Sequence, residues 1–154
     1  MSLHQATVEW RRLGADFDYP TYDRGHWLSF ADDIRVPGTA ARANIPDTVP
    51  HTPGVDPEQA FVASISSCHM LWFLHLACTA KLVVDRYLDN ACGLLEKNAE
   101  GKLAVTRVKL RPTVTFSGTQ PDPDRVRALH EKAHDKCYIA NSVKTEILVE
   151  PEFD

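Results

Sequence analysis

Residues 56–79, DPEQAFVASISSCHMLWFLHLACT, constrain the fold more than any other part of the chain. Asp56 is a good helix cap, Pro57 suits the first helical position, and Gln59 stands where a capping box places Glu or Gln. Glu58 in the first turn complements the positive end of the helix dipole. The pattern predicts a helix running to about residue 80, roughly 36 Å at ~1.5 Å per residue. Met70, Leu71, Trp72, Phe73, Leu74, Leu76 and Ala77 surround its axis, so the segment reads as buried and must be covered on every side. A chain of 154 residues has few elements to do this, and a second subunit is the expected cover.

The flanking sequence reads mainly as β structure. Within residues 1–36, ATVEW and HWLSFADDIRV are strand-like runs separated by LGADFDYPTYDRG. Residues 37–55 carry four prolines and two glycines and read as an irregular loop, long enough to suggest a working role. KLVVDRYLDNACGLLEK and KLAVTRVKLRPTVTFS, hinged at NAEG, read as two long antiparallel strands. In the second, Ala104, Thr106, Val108, Leu110, Val114 and Phe116 share a dry face opposite Arg107, Lys109 and Arg111. PDPDRVRALHEKAHDKC is a second helix, with Asp122 as cap and Pro123 at its first position, and VKTEILVE is a closing strand. The order β-β-α-β-β-α-β predicts one α+β domain over residues 1–154.

The net charge of −4 and the absence of any basic run argue against nucleic acid as a partner. No apolar stretch reaches about 18 residues, so no membrane span is expected. MSLHQATVEW lacks a signal-peptide pattern, which makes a cytoplasmic location the expectation. There the four cysteines, with no C-x-x-C among them, read as thiols, ligands or redox groups rather than structural bridges.

Three stretches together carry a family resemblance: DPEQAFVASISSCHML opening the long helix, KCYIANS ending the second, and YDRGHWLSF upstream. They resemble the OsmC/Ohr family of thiol peroxidases, with the order and spacing of elements agreeing from about residue 20 to residue 150. The resemblance implies antiparallel sheets wrapped around long central helices in an intertwined homodimer, with active sites at the interface. It implies a two-cysteine, peroxiredoxin-like reductase of organic hydroperoxides, with hydrogen peroxide as a further candidate substrate, acting in oxidative stress defence. Cys68 matches the peroxidatic cysteine, Cys137 the resolving cysteine, Glu58 the carboxylate of the PE step, and Arg24 the arginine near the second strand. A dithiol, a lipoyl group being the candidate from relatives, is the implied reductant, and no metal or organic cofactor takes part. His69 after the first cysteine and Tyr138 after the second depart from the Ohr pattern and point to a general OsmC-like branch.

The residues make chemical sense in these roles. Peroxide reduction needs a thiolate, and an unperturbed cysteine of pKa about 8.5 is little ionised at neutral pH. Cys68 lies too far along its helix for the dipole to help, and apolar burial works against ionisation. A cation is therefore required; an arginine suits, with a carboxylate such as Glu58 to hold it. Cys137, at a helix end where the dipole is negative, suits a resolving thiol. Glu58 and Cys68 are about 15 Å apart along a straight helix, so either the helix is broken or Glu58 serves the partner's site.

Plainer readings stand beside these. A buried cysteine is ordinarily packing, and Glu58 is explained by its helix start alone. Arg42, in the irregular loop, is an alternative to Arg24. His69 reads as a hydrogen-bonded core or interface histidine, Cys78 and Cys92 as packing, and His130 with His134 as a solvated stripe. His75 and Cys78 have chelating spacing but do not make a metal site. Trp72, Phe73 and Met70 read as core that would also form an apolar mouth. The rival reading is a non-catalytic redox-sensing or small-molecule-binding protein on the same scaffold.

Overall fold

The computed structural model describes residues 1–13 and 17–153; residues 14–16, within the connection LGADFDYPTYDRG, lie outside the described residues. The chain forms two compact units, Met1–Ala60 and Phe61–Asp154.

The first unit is built on an antiparallel meander of β1 (Thr7–Glu9), β2 (His26–Ser29) and β3 (Arg35–Gly38). HWLSFADDIRV is therefore a hairpin rather than one strand: Asp32 and Asp33 take positive φ, each 57°, and turn the chain back. That conformation suits Asp, whose short polar side chain tolerates the left-handed region. A Cβ at Gly38 would run into the ring of the paired His26, so a larger residue there would require that ring to shift. The proline-rich stretch is irregular apart from a short 3-10 turn at Arg42–Asn44 and a bridge from Val55 to Gly38.

Helix α1 (Pro57–Thr79) begins with the capping box the sequence predicts. Gln59 N–H donates to Asp56 Oδ1 at 2.7 Å, and Asp56 N–H donates to Gln59 Oε1 at 3.2 Å. The helix is unbroken, which removes one of the two ways of relating Glu58 to Cys68.

In the second unit, each predicted long strand is divided in two. The first is β4 (Val84–Asp89) and β5 (Cys92–Lys97); the second is β6 (Leu103–Leu110) and β7 (Pro112–Phe116). Strands β5 and β6 pair antiparallel across the NAEG turn, where Gly101 sits at φ 77° and Asn98 Oδ1 accepts the N–H groups of Glu100 and Lys102. Strands β4 and β7 pair antiparallel in a separate sheet. Pro112 has no N–H to continue a ladder, and Asp89 Oδ1 accepts the Arg111 N–H at 2.7 Å, so the ribbon breaks at that joint. The closing strand β8 (Glu146–Val149) runs parallel to β6, which corrects the expectation of purely antiparallel sheets. Helix α2 (Pro123–Lys136) starts at the predicted cap, with Asp122 Oδ1 accepting Asp124 N–H at 2.8 Å.

The core of this unit is organised by one stripe of α1: Ile65, His69, Phe73 and Ala77 are buried at i, i+4 spacing. Phe73 and Ala77 pack with Phe116 of β7 and with Val126, Leu129 and Ala133 of α2. Ile65 packs with Val108 and Leu110 of β6. The fold is thus α+β, with helices packed on mixed sheets.

The chain by itself leaves one face of α1 open, as the expectation of cover by a second subunit allows: Leu71 is 60% exposed, and Ser64, Ser67, His75 and Cys78 are exposed along the same face. The expectation that no stretch is long enough to span a membrane needs correction. The helix is long and apolar enough, by length and composition, to cross a membrane. Its serines and histidines interrupt the apolar run without lowering the average enough to fail that test. The inner stripe, however, is already packed against protein.

Candidate active site

Cys68 and Cys137 meet. Cys68 lies on α1, half-buried, at the border between the packed stripe and the open face. Cys137 caps the C-terminus of α2 and is 1% exposed. The two thiols, from helices far apart in sequence, lie close enough to interact, the Cys68 side chain being one of the groups that act on Cys137. The CYIANS segment turns back over the second thiol in a 3-10 turn at Ala140–Ser142, and Ala140 N–H donates to Cys137 Sγ at 3.4 Å. Cys137 is pushed up to about 11, first by burial and then by the neighbouring Cys68 side chain, so it is held as the thiol. Helix position suggested the same direction; the leading cause in the structure is burial. The sequence reads Cys68 as buried with its segment; the structure leaves it half-buried, and the deeply buried neighbour is His69, at 1% exposure.

A cavity of about 500 Å³ opens beside Cys68 on the outer face of α1. Ser64, Leu71, Trp72 and His75 line it from the helix, and Tyr138 and Ile139 close it from the segment after Cys137. Trp72 meets Tyr138 edge-on at 5.5 Å, and Lys136 Nζ stands 5.5 Å from the Trp72 ring centroid. Of the apolar mouth expected from sequence, Trp72 is present, while Phe73 is core and Met70 is not part of the lining. Leu71 and His75 were missed as wall residues. Helical periodicity counted from Cys68 would have found them, at i+3 and i+7.

The remaining candidates belong to the first unit. Arg24 donates from Nη1 to Tyr22 O at 2.5 Å and from Nη2 to Tyr19 O at 2.7 Å, with its guanidinium 3.2 Å from the Tyr22 ring centroid. Arg24 and Glu58 line a common cavity of about 450 Å³, together with Trp10, Phe17 and Tyr22. No ion pair joins Arg24 to Glu58 among the described residues; the arginine is held by carbonyls and aromatic faces instead. Arg42 donates to the carbonyls of Val49 and Asp47 at 2.9 and 2.8 Å and pairs with Asp47 Oδ1 at 3.3 Å.

His69 is a hydrogen-bonded core histidine, as expected, but its partner is a surprise. His69 Nε2 lies 3.0 Å from Nδ1 of His130, which is 2% exposed, so His130 is no part of a solvated stripe. The second helix turns its Val126, Leu129, His130 and Ala133 face inward. Burial holds His69 down at about 4 and His130 at about 3, with the neighbouring histidines adding to the effect. Among the described residues, no group of three or more His, Cys, Asp or Glu side chains converges to hold a metal ion.

The OsmC-like protein family profile matches residues 50–152, which include both thiols and the box at the start of α1. An OsmC-like protein of unknown function from Vibrio cholerae is similar over 99% of this chain and 100% of its own, at 42% identity and a TM-score of 0.93. An OsmC-like protein from Mycoplasma pneumoniae covers 98% of this chain and 96% of its own at 12% identity, TM-score 0.72. The organic hydroperoxide resistance protein of Bacillus subtilis covers 98% of this chain and 100% of its own at 17% identity, TM-score 0.64. These last two show the shared fold. No curated protein sequence matches the chain. With the paired thiols, the capped apolar helix and a profile covering most of its length, this chain belongs to the OsmC-like protein family.

Proposed function

We propose that the protein is a thiol-dependent peroxidase that reduces organic hydroperoxides, with Cys68 as the attacking thiol and Cys137 as the resolving one. The observation that carries this reading is the proximity of two thiols from separate helices, close enough to act on each other, with one of them on the wall of an apolar cavity. Cys68, as the thiolate, attacks the distal peroxide oxygen. The O–O bond breaks, the sulfur is oxidised to a sulfenic acid, and the alcohol leaves with a proton. Cys137 sulfur then attacks Cys68 sulfur; the S–O bond breaks, and the departing hydroxide takes the Cys137 proton to leave as water. A dithiol, a lipoyl protein being the candidate, returns both sulfurs to thiols by exchange and is itself oxidised to a disulfide. A resolving thiol held protonated by burial fits this order, because it keeps its proton until the sulfenic acid exists. The apolar walls favour alkyl or aryl hydroperoxides over hydrogen peroxide.

Arg24 is proposed to supply the cation that favours the Cys68 thiolate, with Glu58 holding it and Arg42 as the alternative. Reaching that role means exchanging the Tyr19 and Tyr22 carbonyls for a thiolate and a carboxylate, a stronger charge-assisted pairing. The working unit is proposed to be a homodimer, which would cover the open face of α1 around Leu71. Because the helix is unbroken, about 15 Å separates Glu58 from Cys68 along its axis, so Glu58 is assigned to the partner's site.

The test is hydroperoxide consumption with dithiothreitol, run beside Cys68→Ser. Turnover in the parent and its loss in the variant are expected. Thiol titration after one equivalent of cumene hydroperoxide should remove two of the four thiols. No turnover in the parent would favour the redox-sensing or binding reading instead.

A further inference from the structure

Two buried imidazoles bond to each other between the helices that carry the thiols. His69 of α1 and His130 of α2 are 1% and 2% exposed, and His69 Nε2 lies 3.0 Å from His130 Nδ1. Their rings are parallel to within 3°. Among the described residues this is the one side-chain hydrogen bond that joins α1 to α2. Around it Phe73 and Ala77 pack with Val126, Leu129 and Ala133.

Stability does not account for the pair. One proton sits in the bond, while the outer nitrogens, His69 Nδ1 and His130 Nε2, are buried without hydrogen-bond partners. Orphans of this kind destabilise a fold, whereas apolar groups of the same shape in both places would be nearly neutral or better. What the bond has and apolar packing lacks is a fixed length and direction.

Both thiols are coupled to that length. His69 follows Cys68 directly in the unbroken α1, about 1.5 Å further along the axis. His130 precedes Cys137 by two turns of α2, about 10 Å. Cys137 N–H donates to His134 O at 3.1 Å, which ties the second thiol to the last turn of α2. Apolar ridges and grooves admit interaxial distances of about 8–10 Å and crossing angles scattered by about 15–20°. A hydrogen bond keeps its donor and acceptor within roughly half an ångström. Disulfide closure is as demanding, with sulfurs at about 2 Å and Cβ atoms about 3.5–4.5 Å apart. The bond therefore meets the tolerance of that closure, and apolar packing alone does not.

We propose that His69 and His130 are positioning residues for disulfide closure: their hydrogen bond fixes the approach of α2 to α1 at which the Cys137 sulfur reaches the Cys68 sulfur. The inference rests on the two-thiol reading above and adds the groups that set its second step. In that step the S–S bond forms as the sulfenic S–O bond breaks, and the departing hydroxide takes the Cys137 proton to leave as water. No hydrogen bond joins either imidazole to either sulfur among the described residues, so both act through their helices.

The test compares the parent with the double variant His69→Leu, His130→Phe, which fills the space without a bond. His69→Gln is the conservative control, because its amide stands near the position of Nε2 and keeps a bond to His130. The Cys68–Cys137 disulfide is equilibrated with reduced and oxidised glutathione and quantified by peptide mass spectrometry, which gives the effective concentration of the two thiols without any hydroperoxide. The double variant should lower it about 10- to 100-fold, the scale of a misplacement of about 1 Å, and His69→Gln should stay within about threefold of the parent. With cumene hydroperoxide, the double variant should lose the Cys68 thiol at the parental rate but convert sulfenic acid to disulfide about 10- to 100-fold more slowly. A parent that ignores hydroperoxide yet gives the glutathione result removes the peroxidase reading and supports this one. Equal effective concentrations in parent and double variant overturn the proposal. So does an equal loss in His69→Gln, or a first step slowed as much as the second. If the double variant does not fold, the parent decides. NMR should then show nitrogen–nitrogen coupling across the His69–His130 bond in both thiol and disulfide forms, and its absence from the disulfide form overturns the proposal.

Discussion

Acid should destabilise this protein steeply through the His69–His130 pair. The imidazoles are 1% and 2% exposed and are held down at about 4 and about 3 by burial, with each other and His134 as the nearby like charges. In the unfolded chain a histidine takes up its proton near pH 6.5. Above that value both states are neutral, and the pair contributes its full stability. Below it the unfolded chain binds protons that the folded pair refuses, so stability falls until the pH passes the folded values. Each differential proton is worth about 1.4 kcal/mol per pH unit, so two give a slope approaching about 2.7. Integrated from about pH 7.5 to about pH 5, the loss is on the order of 4 kcal/mol, against about 5–15 kcal/mol for a whole domain. The assay is urea unfolding across that range at fixed protein concentration, beside the double variant His69→Leu, His130→Phe. Replacing both partners leaves no orphan donor, so the variant should fold and lose most of the dependence. Parallel curves for parent and double variant would show that the pair does not carry the acid sensitivity.

Other outcomes follow from the same geometry. Cys137→Ser treated with one equivalent of hydroperoxide should accumulate a Cys68 sulfenic acid that dimedone traps, where the parent gives a disulfide by mass spectrometry. Asp56→Ala removes the acceptor for Gln59 N–H and should cost about 1 kcal/mol in chemical denaturation, with little effect on the thiols. Phe73→Ala, at a fully buried position between two helices and a sheet, should cost about 3–5 kcal/mol. Leu71→Lys places a charge on the open apolar face and should yield monomers in sedimentation if a second copy covers that face.

What the sequence disclosed was mostly local. Asp56, Pro57 and Gln59 form a cap whose interactions span only a few residues, and the same holds for Asp122 at α2 and for Asn98 and Gly101 in the hairpin. The strand breaks were legible in principle, since Pro112 cannot donate to a ladder, but alternation continues across it and hid the interruption. The parallel partnership of β8 with β6 was not legible, because alternation along a strand says nothing about the direction of its neighbour. The burial of His130 was hidden for a different reason. Three other histidines sit on or beside the same helix faces, and only the crossing of α1 over α2 decides which ring finds a partner at 3.0 Å.

The position of Cys68 depends on that crossing too. An apolar-all-round helix gives no sign of which face its own chain will cover, and here the chain covers only the stripe through Ile65, His69, Phe73 and Ala77. Cys68 is one residue out of phase with it. A step of about 100° turns its thiol off the core stripe and onto the seam, where the buried Cys137 lies on one side and the open cavity on the other. One position further along, the side chain would be sealed inside, as His69 is; one position earlier, as at exposed Ser67, it would face outward. Only the seam puts a sulfur both on the cavity wall and beside a second sulfur within, which is what the proposed peroxidase reading requires. The spacing of Cys68 against the i, i+4 stripe is therefore the feature on which two-thiol chemistry in this fold would depend.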